Sequence, residues 1–146
     1  MSPPIFEDDM SIDDDEKLLR RIHLLHLVLD EDTGLARISS GAFKHREMSI
    51  NIESTLKEAC SDATACLAGY SGQRLVSIEA GSARSWGQAI CRDPLPEDIS
   101  HGLVYGNKNG RVPDNLRAAA EWVIPSAPPA YQVIQDERRA AGMPLL

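Results

Sequence analysis

The sequence predicts an α+β fold: a small, mostly antiparallel sheet with two main helices packed on it. Three observations predict it. Short apolar runs recur along the chain, and residues 48–52 alternate apolar (Met48, Ile50, Ile52) with polar (Ser49, Asn51), as a half-buried strand does. Two longer segments, 53–67 and 113–123, space their apolar residues near a period of 3.6 instead. The strand candidates are short and closely spaced, which suits antiparallel neighbours with helices laid on one sheet.

In order along the chain, residues 1–12 are acidic, carry Pro3 and Pro4 and show no periodicity, so no regular structure is expected there. Asp13, Asp14 and Asp15 precede Lys17, Arg20 and Arg21, a charge order that suits the two ends of a helix dipole. A short helix to about Ile22 is expected, followed by a strand within 24–29, where the apolar run is too brief to distinguish strand from helix. The Asp30-Glu31-Asp32-Thr33-Gly34 run reads as a turn, with a returning strand over 35–39.

Strands are also expected over 75–80, 89–91 and 103–105. Residues 81–86 read as a helical turn closed by Gly87. Pro94 and Pro96 impose a loop on 93–98. The helix over 53–67 ends at Gly69 and Gly72, and Pro113 opens the second helix where its missing N–H does no harm. Pro125, Pro128 and Pro129 close the domain. The organisation expected is an acidic, unstructured tail (1–16), one globular domain (17–125), and a proline-rich linker and C-terminal tail (126–146) with a short helix around 135–141.

The chain of 146 residues has a formal net charge of −7. Seven of its 22 acids (Glu7, Asp8, Asp9, Asp13, Asp14, Asp15, Glu16) lie in residues 1–16, which contain no Lys or Arg, so the remainder is formally neutral. A neutral body with an acidic tail argues against direct nucleic-acid binding, which uses an excess of Lys and Arg. The longest apolar run, 24–29, is interrupted by His26 and is far shorter than the roughly 20 residues of a membrane span. Three cysteines without a spaced framework do not make a secreted disulfide scaffold, and residues 1–9 lack a signal peptide's basic and apolar regions; the compartment expected is the cytoplasm, with free thiols.

The chemistry-bearing patterns are short. His23 and His26 have the spacing of a helical metal pair but lack two further ligands nearby. Asp30-x-Asp32 lacks the acid a calcium loop needs at its twelfth position, which is Gly41. No metal or cofactor is expected on this basis. Cys60 falls on the apolar stripe of its helix and reads as a small core residue. Arg37, Ser39 and Ser40 form a more specific pattern, since a guanidinium fork beside hydroxyl donors suits a phosphate or carboxylate. His101, just before a strand, has the side chain suited to proton transfer near neutral pH.

Leu18-Leu19-Arg20-Arg21-Ile22, then Arg37-x-Ser39-Ser40-x-Ala42-Phe43, Met48-Ser49-Ile50, and Asp93-Pro94-Leu95-Pro96 followed by His101, resemble a group of small bacterial proteins with no assigned activity. The resemblance spans roughly residues 18–124. It implies no function, but it directs attention to Arg37, Ser39, Ser40 and His101.

Two functions are expected from these residues. The first is a non-catalytic accessory protein that binds a partner, such as a larger bacterial effector, through the acidic tail with Phe6, Asp13, Asp14 and Asp15. Acidic-hydrophobic segments of this kind fold onto basic grooves. The alternative is an enzyme or sensor acting on a nucleotide-like anion. There Arg37, Ser39 and Ser40 would bind phosphate, assisted by Arg20 or Arg21, with His101 as acid or base. An ADP-ribosyl-transferase-like pairing of arginine and serine is one form of it.

Overall fold

The computed structural model describes residues 6–143. Its centre is a six-stranded antiparallel sheet in the order β6-β7-β4-β1-β5-β8, formed by β1 (Lys17–Ile22), β4 (Glu47–Ile52), β5 (Arg74–Glu79), β6 (Ala89–Arg92), β7 (His101–Tyr105) and β8 (Glu121–Ile124). A separate hairpin joins β2 (Leu27–Leu29) to β3 (Ala36–Ile38), with Leu27 opposite Ile38. Among the described residues, four α-helices complete the fold: α1 (Glu53–Glu58), α2 (Ala80–Ser85), α3 (Val112–Ala119) and α4 (Tyr131–Ala140). The α+β class and the antiparallel sheet are as the sequence predicts.

The segment 17–22, expected to be helical, is a central strand. Leu18 and Ile22 point to one face and Leu19 to the other, and all three are buried. With both faces covered, the buried residues Leu18, Leu19 and Ile22 do not alternate, and their i, i+1, i+4 spacing also fits a helix face. The larger core lies on the first face. There Leu18, Ile22, Met48, Ile50, Val76, Ile78 and Val104 meet the hairpin, Phe43, Leu116 of α3 and Ile134 of α4. On the second face Leu19 and Leu75 pack with Leu56 and Cys66.

The helix expected over 53–67 is interrupted. After α1, Cys60 takes a left-handed φ of 58°, and the chain restarts as a 3-10 turn at Ala63–Leu67, capped by the Asp62 carboxylate on Thr64 N–H. The break brings Leu56 and Cys66 into the same cluster over β1 and β5. The helix expected over 113–123 ends at Ala119, and 121–124 is β8, on the sheet edge beside β5.

The described parts of both expected tails, 6–16 and 126–143, belong to the folded body. From residue 6 to 16 the chain runs as a strap. Asp9 N–H donates to Ile90 O at 2.8 Å, the Asp8 and Asp14 carboxylates hold Arg84, Asp9 holds Arg92, and Ile12 is buried in the core. Gly81 N–H donates to Asp14 O at 2.8 Å, an approach so close that a Cβ at Gly81 would lie 2.8 Å from Asp14 Cβ. At the other end, α4 places Tyr131, Ile134 and Arg138 in the interior.

Candidate functional site

The hairpin and the α3–β8 corner flank an open cavity of about 330 Å³. On β3, Ala36 and Ile38 point into the core, so strand alternation turns Arg37 outward, toward this cavity. The turn before β3 is fixed by Asp30, whose carboxylate accepts from Asp32 N–H and whose carbonyl accepts from Gly34 N–H, with Gly34 in the left-handed region. Across the cavity, Arg117 follows the fully buried Leu116 in the last turn of α3, and Trp122 of β8 is half-buried beside it.

Arg37 and Arg117 have no hydrogen-bond or ion-pair partner among the described residues, and the buried Nε–H of Arg117 has no acceptor. Two arginines against Asp30 give the lining a formal charge of +1. A guanidinium presents five donors in a fixed plane, suited to bidentate capture of a carboxylate or phosphate, and an indole offers a flat face for a planar ring.

The other expected site residues are dispersed. Arg20 and Arg21, adjacent on β1, point to opposite faces. Arg20 donates to Ala42 O at 3.0 Å and Ser49 O at 2.9 Å; burial, with Arg21 nearby, pulls its pKa down to about 10. It ties the 3-10 turn at Ser40–Phe43 to the sheet. Arg21 lies over the Tyr70 ring at 3.9 Å. Ser39 caps that 3-10 turn, its Oγ accepting from Gly41 N–H, and Ser40 is the turn's first residue. His101, on the far side of the sheet, places Nδ1 2.9 Å from Asp93 O and 3.2 Å from its carboxylate. The expected constellation of Arg37, Ser39, Ser40, Arg20, Arg21 and His101 therefore does not assemble: strand alternation sends Arg20 and Arg21 to opposite faces, and Ser39 and Ser40 start the 3-10 turn. Arg37 shares its cavity with Arg117 and Trp122 instead, neither of which the sequence marks: Arg117 reads as the polar side of a helix, and Trp122 lies in a strand that the sequence assigns to the helix.

The expected partner-binding residues of the N-terminal segment are largely engaged within the chain. The Phe6 ring packs on Tyr105 with centroids 5.3 Å apart, and Asp14 pairs with Arg84 at 2.8 Å; Asp13 and Asp15 stay exposed beside Glu16 and Glu58. Burial pushes the Cys66 and Cys91 thiols up to about 11, and Cys60 is exposed. No group of three or more His, Cys, Asp or Glu among the described residues is placed to hold a metal. No helix among them is long and apolar enough to cross a membrane.

No family model matches the chain, and no curated protein and no solved structure is significantly similar to it.

Proposed function

We propose that the protein is a binding protein for a nucleotide-like anion, with a phosphate or carboxylate between Arg37 and Arg117 and a planar group against Trp122. The observation that carries this reading is the buried, unpartnered Nε–H of Arg117 beside a second unpartnered arginine in one cavity. An unsatisfied buried donor costs about 1–3 kcal/mol, and a ligand acceptor that fills it recovers that cost on binding. A cavity of about 330 Å³ lies at the small end of the range for ligand sites. The reading assigns no reacting group, and His101 stands apart from it.

Partner binding through the acidic segment ranks second. Asp8, Asp9 and Asp14 already hold Arg84 and Arg92, so a partner would have to displace contacts made within the chain. The three free cysteines support the cytoplasm as the compartment.

Isothermal titration with adenosine monophosphate, adenosine and inorganic phosphate tests the anion reading. The nucleotide should bind more tightly than either fragment, and Arg117→Ala should weaken it at least about tenfold, the loss of one charge-assisted hydrogen-bond pair. No heat with any of the three, or binding by Arg117→Ala and Arg37→Ala as tight as that of the unsubstituted chain, would overturn it.

A further inference from the structure

The opposite face of the sheet holds a second cavity, of about 460 Å³. Its floor is Arg21 of β1 and Asn51 of β4, diagonal neighbours on adjacent strands, because Asn51 lies opposite Leu19 and Arg21 is two residues further along β1. Such positions are roughly 7–8 Å apart. One wall is the interrupted helix, contributing Leu56, Ala59, Ala65 and the backbone of Cys66. The other is the proline loop, contributing Glu97, Asp98 and Ser100.

Two buried polar side chains are used to fix one carboxylate here. Asn51 is 5% exposed and Ser100 1% exposed. Asn51 Nδ2 donates to both Asp98 oxygens at 2.9 Å and lies 2.7 Å from Ser100 Oγ, which in turn donates to Asp98 Oδ1 at 2.9 Å. Asp98 thus stands in one orientation at the cavity wall, with lone pairs to spare. Arg21 is held by its face, over Tyr70, while its edge makes a single long contact, Nη1 to Cys66 O at 3.4 Å. The remaining guanidinium N–H groups have no partner among the described residues.

The charges of Arg21, Glu97 and Asp98 sum to −1, which disfavours a phosphate. They suit a small molecule carrying an ammonium and a carboxylate together, and the alanines and Leu56 leave space for an aliphatic chain. We propose that this cavity binds an aliphatic α-amino acid, its carboxylate on the free edge of Arg21 and its ammonium on Asp98. This second site is independent of the Arg37 cavity and of the anion reading.

The test titrates the full chain with L-leucine, with isoamylamine (the ammonium alone) and with 4-methylpentanoate (the carboxylate alone), reading amide and methyl shifts of Ala59 and Ala65 by NMR. Leucine should bind at least about tenfold more tightly than either fragment, since each loses one charge-assisted contact. Arg21→Met keeps the stem on Tyr70 and should reduce leucine to the affinity of isoamylamine. Asp98→Asn should reduce it to that of 4-methylpentanoate; if that variant melts early, Arg21→Met alone decides. No shift at millimolar leucine, shifts confined to other residues, a fragment binding as well as leucine, or undiminished binding by Arg21→Met overturns the proposal.

Discussion

Arg138 and Arg139 are neighbours with the same side chain and opposite fates. Arg139 is largely exposed, whereas Arg138 is fully buried and has no acidic partner among the described residues. Arg138 Nη2 donates to Leu24 O at 2.5 Å and Leu27 O at 2.7 Å, and Nη1 donates to Tyr131 OH at 3.0 Å. It thereby fastens α4 to the carbonyls that lead into the hairpin. Replacing it with methionine fills similar space but leaves the two carbonyls without their donors. The Arg138→Met variant should lose about 2–4 kcal/mol, seen as a lower urea midpoint at unchanged slope. Helical spacing puts Arg138 on the face of Tyr131 and Ile134 and Arg139 off it, and the docking of α4 encloses that face. Arg20 and Arg21 pose the same problem. Their pairing suggests a shared site, but the period of a strand sends them to opposite faces.

At the scale of elements, legibility followed the length and context of each pattern. The strand at 48–52 was legible because its two faces differ. The strand at 17–22 was not, because both of its faces are covered. The break at Cys60 was hidden, since Leu56, Ala59, Ala63 and Leu67 keep helical spacing across it; the gain from bringing Leu56 and Cys66 onto β1 and β5 is tertiary. The N-terminal strap is the largest departure. Its acids resemble a solvated tail, yet their partners, Arg84 and Arg92, lie far along the chain. Gly81→Val tests how the strap is held, because a side chain there meets Asp14 at both Cβ and the carbonyl. Amide exchange at Asp9 and Ile12 should speed up at least about tenfold in this variant, while the β4–β7 pairing stays protected. Unchanged exchange at Asp9 would show that the strap is held by other means.

Across the whole molecule, the formal charge of −7 is less segregated than the sequence suggests, because the strap lays acids on the basic side chains of α2 and β6. Away from that contact, His26 is held below the ordinary histidine pKa by burial, with Arg20, His23 and His45 also opposing its protonation. The unfolded chain binds a proton near pH 6.5 that folded His26 resists. Stability should therefore rise with pH from the folded pKa of His26 up to about 6.5, and fall as pH drops through that window. His26→Gln should flatten this part of the stability profile, measured by urea denaturation between pH 5 and pH 7 (roughly the window that histidine titration spans). An unchanged slope would assign the pH dependence to other groups. The anion site at Arg37 and Arg117 is open to an optical test, since the chain holds only two tryptophans and Trp86 lies outside that cavity. In a Trp86→Phe background, adenosine monophosphate should change the emission of Trp122 along a saturable curve, and adding Arg117→Ala should shift that curve at least about tenfold to higher concentration. Emission that ignores the nucleotide, or the same curve with and without Arg117, would show that the cavity holds no such anion.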